Sequence, residues 1–262
     1  MNGNSPAFLA CSNVLPLRQP GFARRNHSSF KGLLATVVRQ ACHELRLRCY
    51  RRVRFRSRAQ DEVRHAYRAM EVWEFEGLNA RQAWSNWRTI PRNLDGRAPA
   101  RPLRALDLCC GTGQSTEVLA YYLAPGSRLL GLENSPRFVV TARARTYTTR
   151  NGSPAVVEFG MQSVLDTFRD SLGEEIPDAS VDLVNSSGAV GCHFAVRDTA
   201  LLAQEVARVL RGGGLALIDS GRAGTSEREL VEVFTALDFQ AIHRARSCAL
   251  DRYTQVCFRK LA

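Results

Sequence analysis

The stretch ALDLCCGTGQSTEVLAYYLA, residues 105–124, constrains the fold more than any other part of the chain. A short apolar run carrying Asp107 passes through Cys109, Cys110, Gly111, Thr112 and Gly113 into a helical period. Glycine at 111 and 113 permits a sharp turn and lets backbone approach a ligand at a helix N-terminus. A strand, a tight turn and a helix in this order open a parallel α/β sheet, whose ligands bind outside the carboxyl ends of the strands.

The rest of the C-terminal region repeats the pattern. Strands are expected at 103–108, 127–133, 155–160, 181–187 and 214–220, and helices at 113–122, 136–148, 198–210 and 226–237. Gly212, Gly213 and Gly214 read as a tight turn from a helix into a strand, not a phosphate loop, because no lysine followed by serine or threonine accompanies them. The last segment, DFQAIHRARSCALDRYTQVCFRKL, offers two strand-like runs and a turn with no helix between, which is the pattern of a hairpin at the sheet edge. The alternation predicts a Rossmann-like, doubly wound α/β domain over residues 101–262, with right-handed crossovers.

The N-terminal part has a different character. Residues 1–30 show no sustained apolar period and read as disordered. From Phe30 to Arg58, Leu33, Leu34, Val37, Val38, Ala41, Leu45 and Cys49 recur every three or four residues among arginines, which describes a basic amphipathic helix. Residues 60–90 form a second helical region with Tyr67, Phe75 and all three tryptophans, and RNLDGRAPARP reads as a linker. Residues 31–100 are therefore expected to be a helical extension or cap, whose aromatics pack in a core or cover a ligand.

Net charge sharpens that division. The chain carries +11, but residues 1–60 hold eleven arginines and Lys31 against the single acid Glu44, leaving the remainder neutral. The α/β domain thus has no general pull towards phosphate backbones. Residues 31–58 are the place for nucleic acid or an acidic membrane surface, with plain solvation or packing on the domain as the simpler reading. An Arg-rich, acid-poor start also has the composition of an organellar targeting segment. No run of about 18 apolar residues occurs, so no helix long enough to span a bilayer is expected. The eight cysteines lack CxxC pairing and read as reduced thiols in a cytoplasmic protein. No metal site is expected, because Cys192 beside His193 is no tetrahedral ligand set.

Glu133 lies twenty residues beyond Gly113 at the end of the next apolar run, where a carboxylate can accept both hydroxyls of a ribose. With LDLCCGTGQS, GLENSPRFVVTARAR, IPDASVDLVNSSGAV and EVARVLRGGGLALIDS in this order, residues 103–262 resemble the class I S-adenosylmethionine-dependent methyltransferases, closest to the group acting on quinones and other small molecules. The resemblance implies a mostly parallel seven-stranded sheet with a C-terminal antiparallel hairpin, and S-adenosyl-L-methionine as cofactor. It implies Asp107, Gly111 and Gly113 around the methionine part, with Cys109 in place of a common glycine. Glu133 would hold the ribose, Asn134 would lie beside the adenine, and Gln162 with Ser163 would touch its amino edge, Gln162 replacing the usual aspartate. Asn185, Ser186 and Ser187 would stand at the pocket mouth, and Gly188–Phe194 would lead to the acceptor, with His193 as the candidate general base. A small-molecule acceptor is expected. An RNA-methylating enzyme or a non-catalytic module using the basic helix are the alternatives. A nicotinamide-dependent oxidoreductase fits less well, since Thr116 stands where the third glycine of GxGxxG would fall.

Overall fold

The computed structural model describes residues 30–50, 58–248 and 253–262. The expectations for residues 1–29, disorder and targeting, lie outside the described residues, as does most of the arginine run at 51–57. Four helices come first: α1 (Phe30–Tyr50), α2 (Gln60–Ala69), α3 (Val72–Leu78) and α4 (Ala80–Leu94). The domain then alternates β1 (Arg104–Leu108), α5 (Gln114–Tyr122), β2 (Arg128–Glu133), α6 (Pro136–Arg143), β3 (Val156–Met161), β4 (Val181–Ser186), α7 (Val190–His193), α8 (Val196–Val209), β5 (Leu210–Ser220), α9 (Glu227–Thr235), β6 (Phe239–Ala245) and β7 (Thr254–Lys260).

The sheet has seven strands in the order β3-β2-β1-β4-β5-β7-β6. Strands β1 to β5 pair in parallel, while β7 pairs antiparallel with both β5 and β6. This is the Rossmann-like, mostly parallel seven-stranded sheet with a C-terminal antiparallel hairpin that the resemblance implies. The hairpin lies at the sheet edge as expected, but its second strand inserts between β5 and the first, so β6 is the outermost strand.

Continuous apolar runs form these strands because both faces are covered. Leu106, Leu108, Leu130, Leu132, Val184, Ala216, Ile218, Val256 and Phe258 point to one core with α8 and α9. Their neighbours Ala105, Leu129, Leu183, Leu215, Leu217 and Cys257 point to the other, filled by α5 and by Trp87, Ile90 and Leu94 of α4. The period of two thus divides each strand between two cores. Helix α4 is a layer of the domain, since Ile90 and Leu94 are fully buried.

Several boundaries differ from expectation. Residues 60–90 are interrupted at Met70, which is extended before a capping box formed by Glu71 and Glu74, and again at Asn79. Helix α4 continues through Pro91 to Leu94, into the expected linker, because burying Ile90 and Leu94 outweighs the backbone bond that proline cannot make. Helix α6 stops at Arg143, five residues early: the Tyr147 hydroxyl donates to the Ala142 carbonyl at 2.8 Å and Thr148 bridges to Pro154. The triple glycine is not a turn before a strand but an irregularity inside β5, where Val181 faces Leu210 and Leu183 faces Leu215. Among the described residues, no helix is long and apolar enough to cross a membrane.

Candidate functional site

The carboxyl ends of β1, β2, β4 and β5 carry Asp107, Glu133, Ser186 and Asp219, and helices α2 and α3 lie across this rim. A cleft of about 130 Å3 opens between rim and helices. Of the residues expected to bind cofactor, Cys109, Glu133, Asn134, Gln162 and Ser163 line it, and so does His193. Asp107, Gly111, Gly113 and Ser186 lie behind that lining.

Asp107 ties three elements together. One carboxylate oxygen accepts from the Ser115 and Thr116 hydroxyls of α5 at 2.7 and 2.6 Å, and the other accepts from the Asn185 side-chain amide of β4 at 2.7 Å. Burial pushes its pKa up, against these three hydrogen bonds, which pull it down. Cys109 adopts φ 53°, in the left-handed region where a Cβ is penalised and glycine is favoured. Gly113, at φ 84°, is the N-cap of α5. Burial holds the Cys109 and Cys110 thiols well above their usual range, so both stay protonated and unreactive. Ser186 points its hydroxyl at Asp219, at 3.5 Å.

Glu133 gathers backbone N–H groups. One oxygen accepts from Asn134 and Ser135, both at 2.8 Å, and the other accepts from Gly111 at 3.0 Å. Enclosure raises its pKa, while the N–H groups of Ser135, Gly111 and Asn134 oppose the rise. The carboxylate therefore links the β1 turn to the end of β2 and borders the cleft. The Asn134 side-chain oxygen Oδ1 accepts from the Arg68 guanidinium of α2 at 2.8 Å. The Gln162 side-chain amide pairs with the Arg169 backbone through two contacts of 3.1 Å, and the Ser163 hydroxyl accepts from the Leu165 N–H at 3.2 Å.

On the far wall the Tyr67 hydroxyl of α2 lies 2.8 Å from Nε2 of His193. Enclosure raises the Tyr67 pKa, with further contributions from Cys192, Glu133, Cys109 and Tyr253, so the phenol stays protonated, and the tautomer of His193 decides which of the two donates. The rings of Phe75, Phe138 and His193 surround Tyr67 at centroid distances of 6.0, 6.5 and 5.4 Å, and Phe75 lies over Gly111, in the space a Cβ there would need. The cap is fastened at its rim: Gln60 donates to the His193 carbonyl at 3.1 Å, Glu71 pairs with Arg137, and Glu76 pairs with Arg145 at 2.6 Å.

Asp219 holds the loop that presents His193. Its carboxylate accepts from the N–H groups of Ala189 and Val190 at 3.3 Å and of Gly191 at 2.8 Å. Burial raises its pKa to about 6 despite these bonds. Sequence reasoning did not find Asp219, although its place at the end of an apolar strand was a usable signal. Tyr67 and Phe75 carried only an aromatic cluster as a signal. The structure divides that cluster: Trp84 and Trp87 enter the core, while Tyr67 and Phe75 line the cleft.

Comparison with known proteins agrees with this arrangement. Residues 105–214 match the methyltransferase domain family. No curated protein matches the sequence. Among solved structures, a chain from the complex pairing the Haloferax volcanii Trm112 methyltransferase activator with a candidate methyltransferase is similar over 72% of this chain and 96% of its own, with 19% identity and a TM-score of 0.55. The PH0226 protein of Pyrococcus horikoshii is similar over 65% of this chain and 87% of its own, with 16% identity and a TM-score of 0.50. At such identities these two likenesses speak for the fold.

Proposed function

We propose that this chain, an S-adenosylmethionine-dependent methyltransferase through its domain at residues 105–214, methylates a small molecule whose nucleophilic atom carries a proton, and that His193 receives that proton. The observation that carries this reading is the Tyr67–His193 pair at 2.8 Å, in the same cleft as Glu133.

The donor set suits the cofactor. Glu133 would hold the ribose hydroxyls, Asn134, Gln162 and Ser163 the adenine side, and the turn from Cys109 to Gly113, braced by Asp107, the methionine side, with Ser186 behind. The cofactor supplies a methyl group on an already activated sulfonium, so alignment provides most of the rate. In the tautomer with the proton on Nδ1, the Nε2 lone pair is held by the Tyr67 hydroxyl, which fixes the ring and keeps that nitrogen at the cleft wall. An acceptor O–H or N–H that displaces the phenol meets a base there, while Asp219 keeps the His193 loop in place. Val63, Val164, Leu165 and Phe194 give the lining an apolar character that favours a small molecule over a phosphate backbone.

Calorimetry with S-adenosylmethionine tests the cofactor half. Glu133→Ala is expected to weaken binding at least tenfold, since it removes charge-assisted hydrogen bonds worth over about 1.4 kcal/mol. Affinity within twofold of wild type would overturn the assignment. Transfer of labelled methyl to a panel of phenols and amines tests the acceptor half. His193→Gln should lower kcat by about 10²–10⁴ while cofactor affinity holds. An unchanged kcat would remove His193 from the chemistry.

A further inference from the structure

Helix α1 sits on the molecule the wrong way round for a surface helix. An amphipathic helix ordinarily buries its apolar stripe and shows its polar face to water. Here the polar side is turned inwards. The Gln40 side-chain oxygen Oε1 accepts from the Arg81 backbone N–H of α4 at 3.3 Å, and the His43 ring lies against Gly77 of α3, where a Cβ would fall 2.4 Å from it. That ring also contacts Trp73, at a centroid distance of 5.7 Å, and the Arg46 guanidinium covers the same indole at 4.7 Å. Outward, at helical spacing, stand Leu34, Val37, Val38, Ala41 and Leu45. Leu34 is 59% exposed, Val37 41%, Val38 54% and Leu45 65%.

We propose that α1 docks this protein on an anionic membrane surface, with Leu34, Val37, Val38 and Leu45 entering the interface and the surrounding arginines meeting the lipid head groups. Charge selects this occupant. Arg39 is exposed beside the stripe, Lys31 and Arg48 belong to the same helix, and Arg51, Arg52, Arg54, Arg56 and Arg58 follow it in sequence, with Glu44 the single acid of residues 1–60. A second copy of the chain would bring this positive charge against itself. An RNA would meet the arginines but would have no use for a row of leucines and valines. An apolar stripe flanked by cations is what a helix lying in an anionic bilayer interface requires. Each basic side chain near such a surface contributes roughly a fivefold gain in binding. The docking is independent of the methyl acceptor and of the assignment of Glu133.

The test is sedimentation of the full-length chain with vesicles of pure phosphatidylcholine and with vesicles containing phosphatidylserine at about three parts in ten. Binding should be at least tenfold stronger to the anionic vesicles and should weaken with added salt. The triple variant Leu34→Ser, Val38→Ser, Leu45→Ser should lose at least tenfold of that binding while retaining wild-type circular dichroism and S-adenosylmethionine affinity, because all three side chains are more than half exposed. Absence of binding to the anionic vesicles, or binding by the triple variant within twofold of wild type, would overturn the proposal. So would a wild-type dimer in light scattering that the triple variant converts to a monomer, since a second copy would then cover the stripe, or salt-sensitive RNA retention without vesicle binding.

Discussion

Cys109 places a side chain where the backbone asks for none. Its φ of 53° falls in the left-handed region, which costs a residue with a Cβ about 1–2 kcal/mol, and the turn between β1 and α5 leaves it little freedom. Replacing it with alanine or with glycine removes the thiol in both cases, so comparing the two isolates the backbone. Cys109→Gly is expected to exceed Cys109→Ala in stability by about 1 kcal/mol in urea unfolding. Equal stabilities would mean that the turn relaxes out of the left-handed region in the alanine variant. The residues legible in the sequence were those whose role follows from their own element. Asp107 and Glu133 stand at the ends of apolar runs, so a period and a turn suffice to locate them. Tyr67 could not be read in this way, because its partner His193 is 126 positions away and the bond exists only once α2 lies across the rim.

At the scale of elements, the loop from β4 into α7 depends on the end of β5 across the register. Asp219 gathers the N–H groups of Ala189, Val190 and Gly191, and burial raises its pKa from 3.8 to about 6. A carboxyl with a raised folded pKa binds its proton more tightly in the folded chain than in the unfolded one. Its relative contribution to stability is therefore greatest below about pH 4 and declines as pH rises through about 6. The decline amounts to at most about 3 kcal/mol. Asp219→Asn cannot titrate, so wild-type stability minus variant stability should fall between pH 4 and 6 in parallel urea series. A flat difference would mean that the carboxyl titrates alike in the folded and unfolded chains, and a rising one that folding favours its ionised form; either would overturn the raised pKa. The same scale explains the missed boundaries: α6 gives way at Arg143 to the Tyr147 contact and α4 runs through Pro91, both decided by packing rather than local propensity. Strands β1 to β5 were legible because each is buried on two faces and so reads as an unbroken apolar run.

For the whole molecule, the question is where the catalytic body ends and its accessories begin. Composition changes near residue 100, but the cores divide the chain elsewhere. Trp87, Ile90 and Leu94 of α4 share a core with β1, α5 and β5, whereas α1 shows Leu34, Val37, Val38 and Leu45 to solvent. We therefore place the dividing line ahead of α4, with α2 and α3 as a cap held by polar contacts at the rim. Leu94→Ala should cost about 2–5 kcal/mol through loss of buried surface and the cavity left behind. For a chain of this size that lowers Tm by about 5–15 °C. Removing residues 1–57, which takes away α1 and the basic arm, should lower Tm by less than about 4 °C, because the two cores keep every member. Differential scanning calorimetry on the two variants decides the matter. If the truncation destabilises more than Leu94→Ala, the interface of His43, Gly77 and Trp73 is a third core, and α1 belongs to the body of the enzyme.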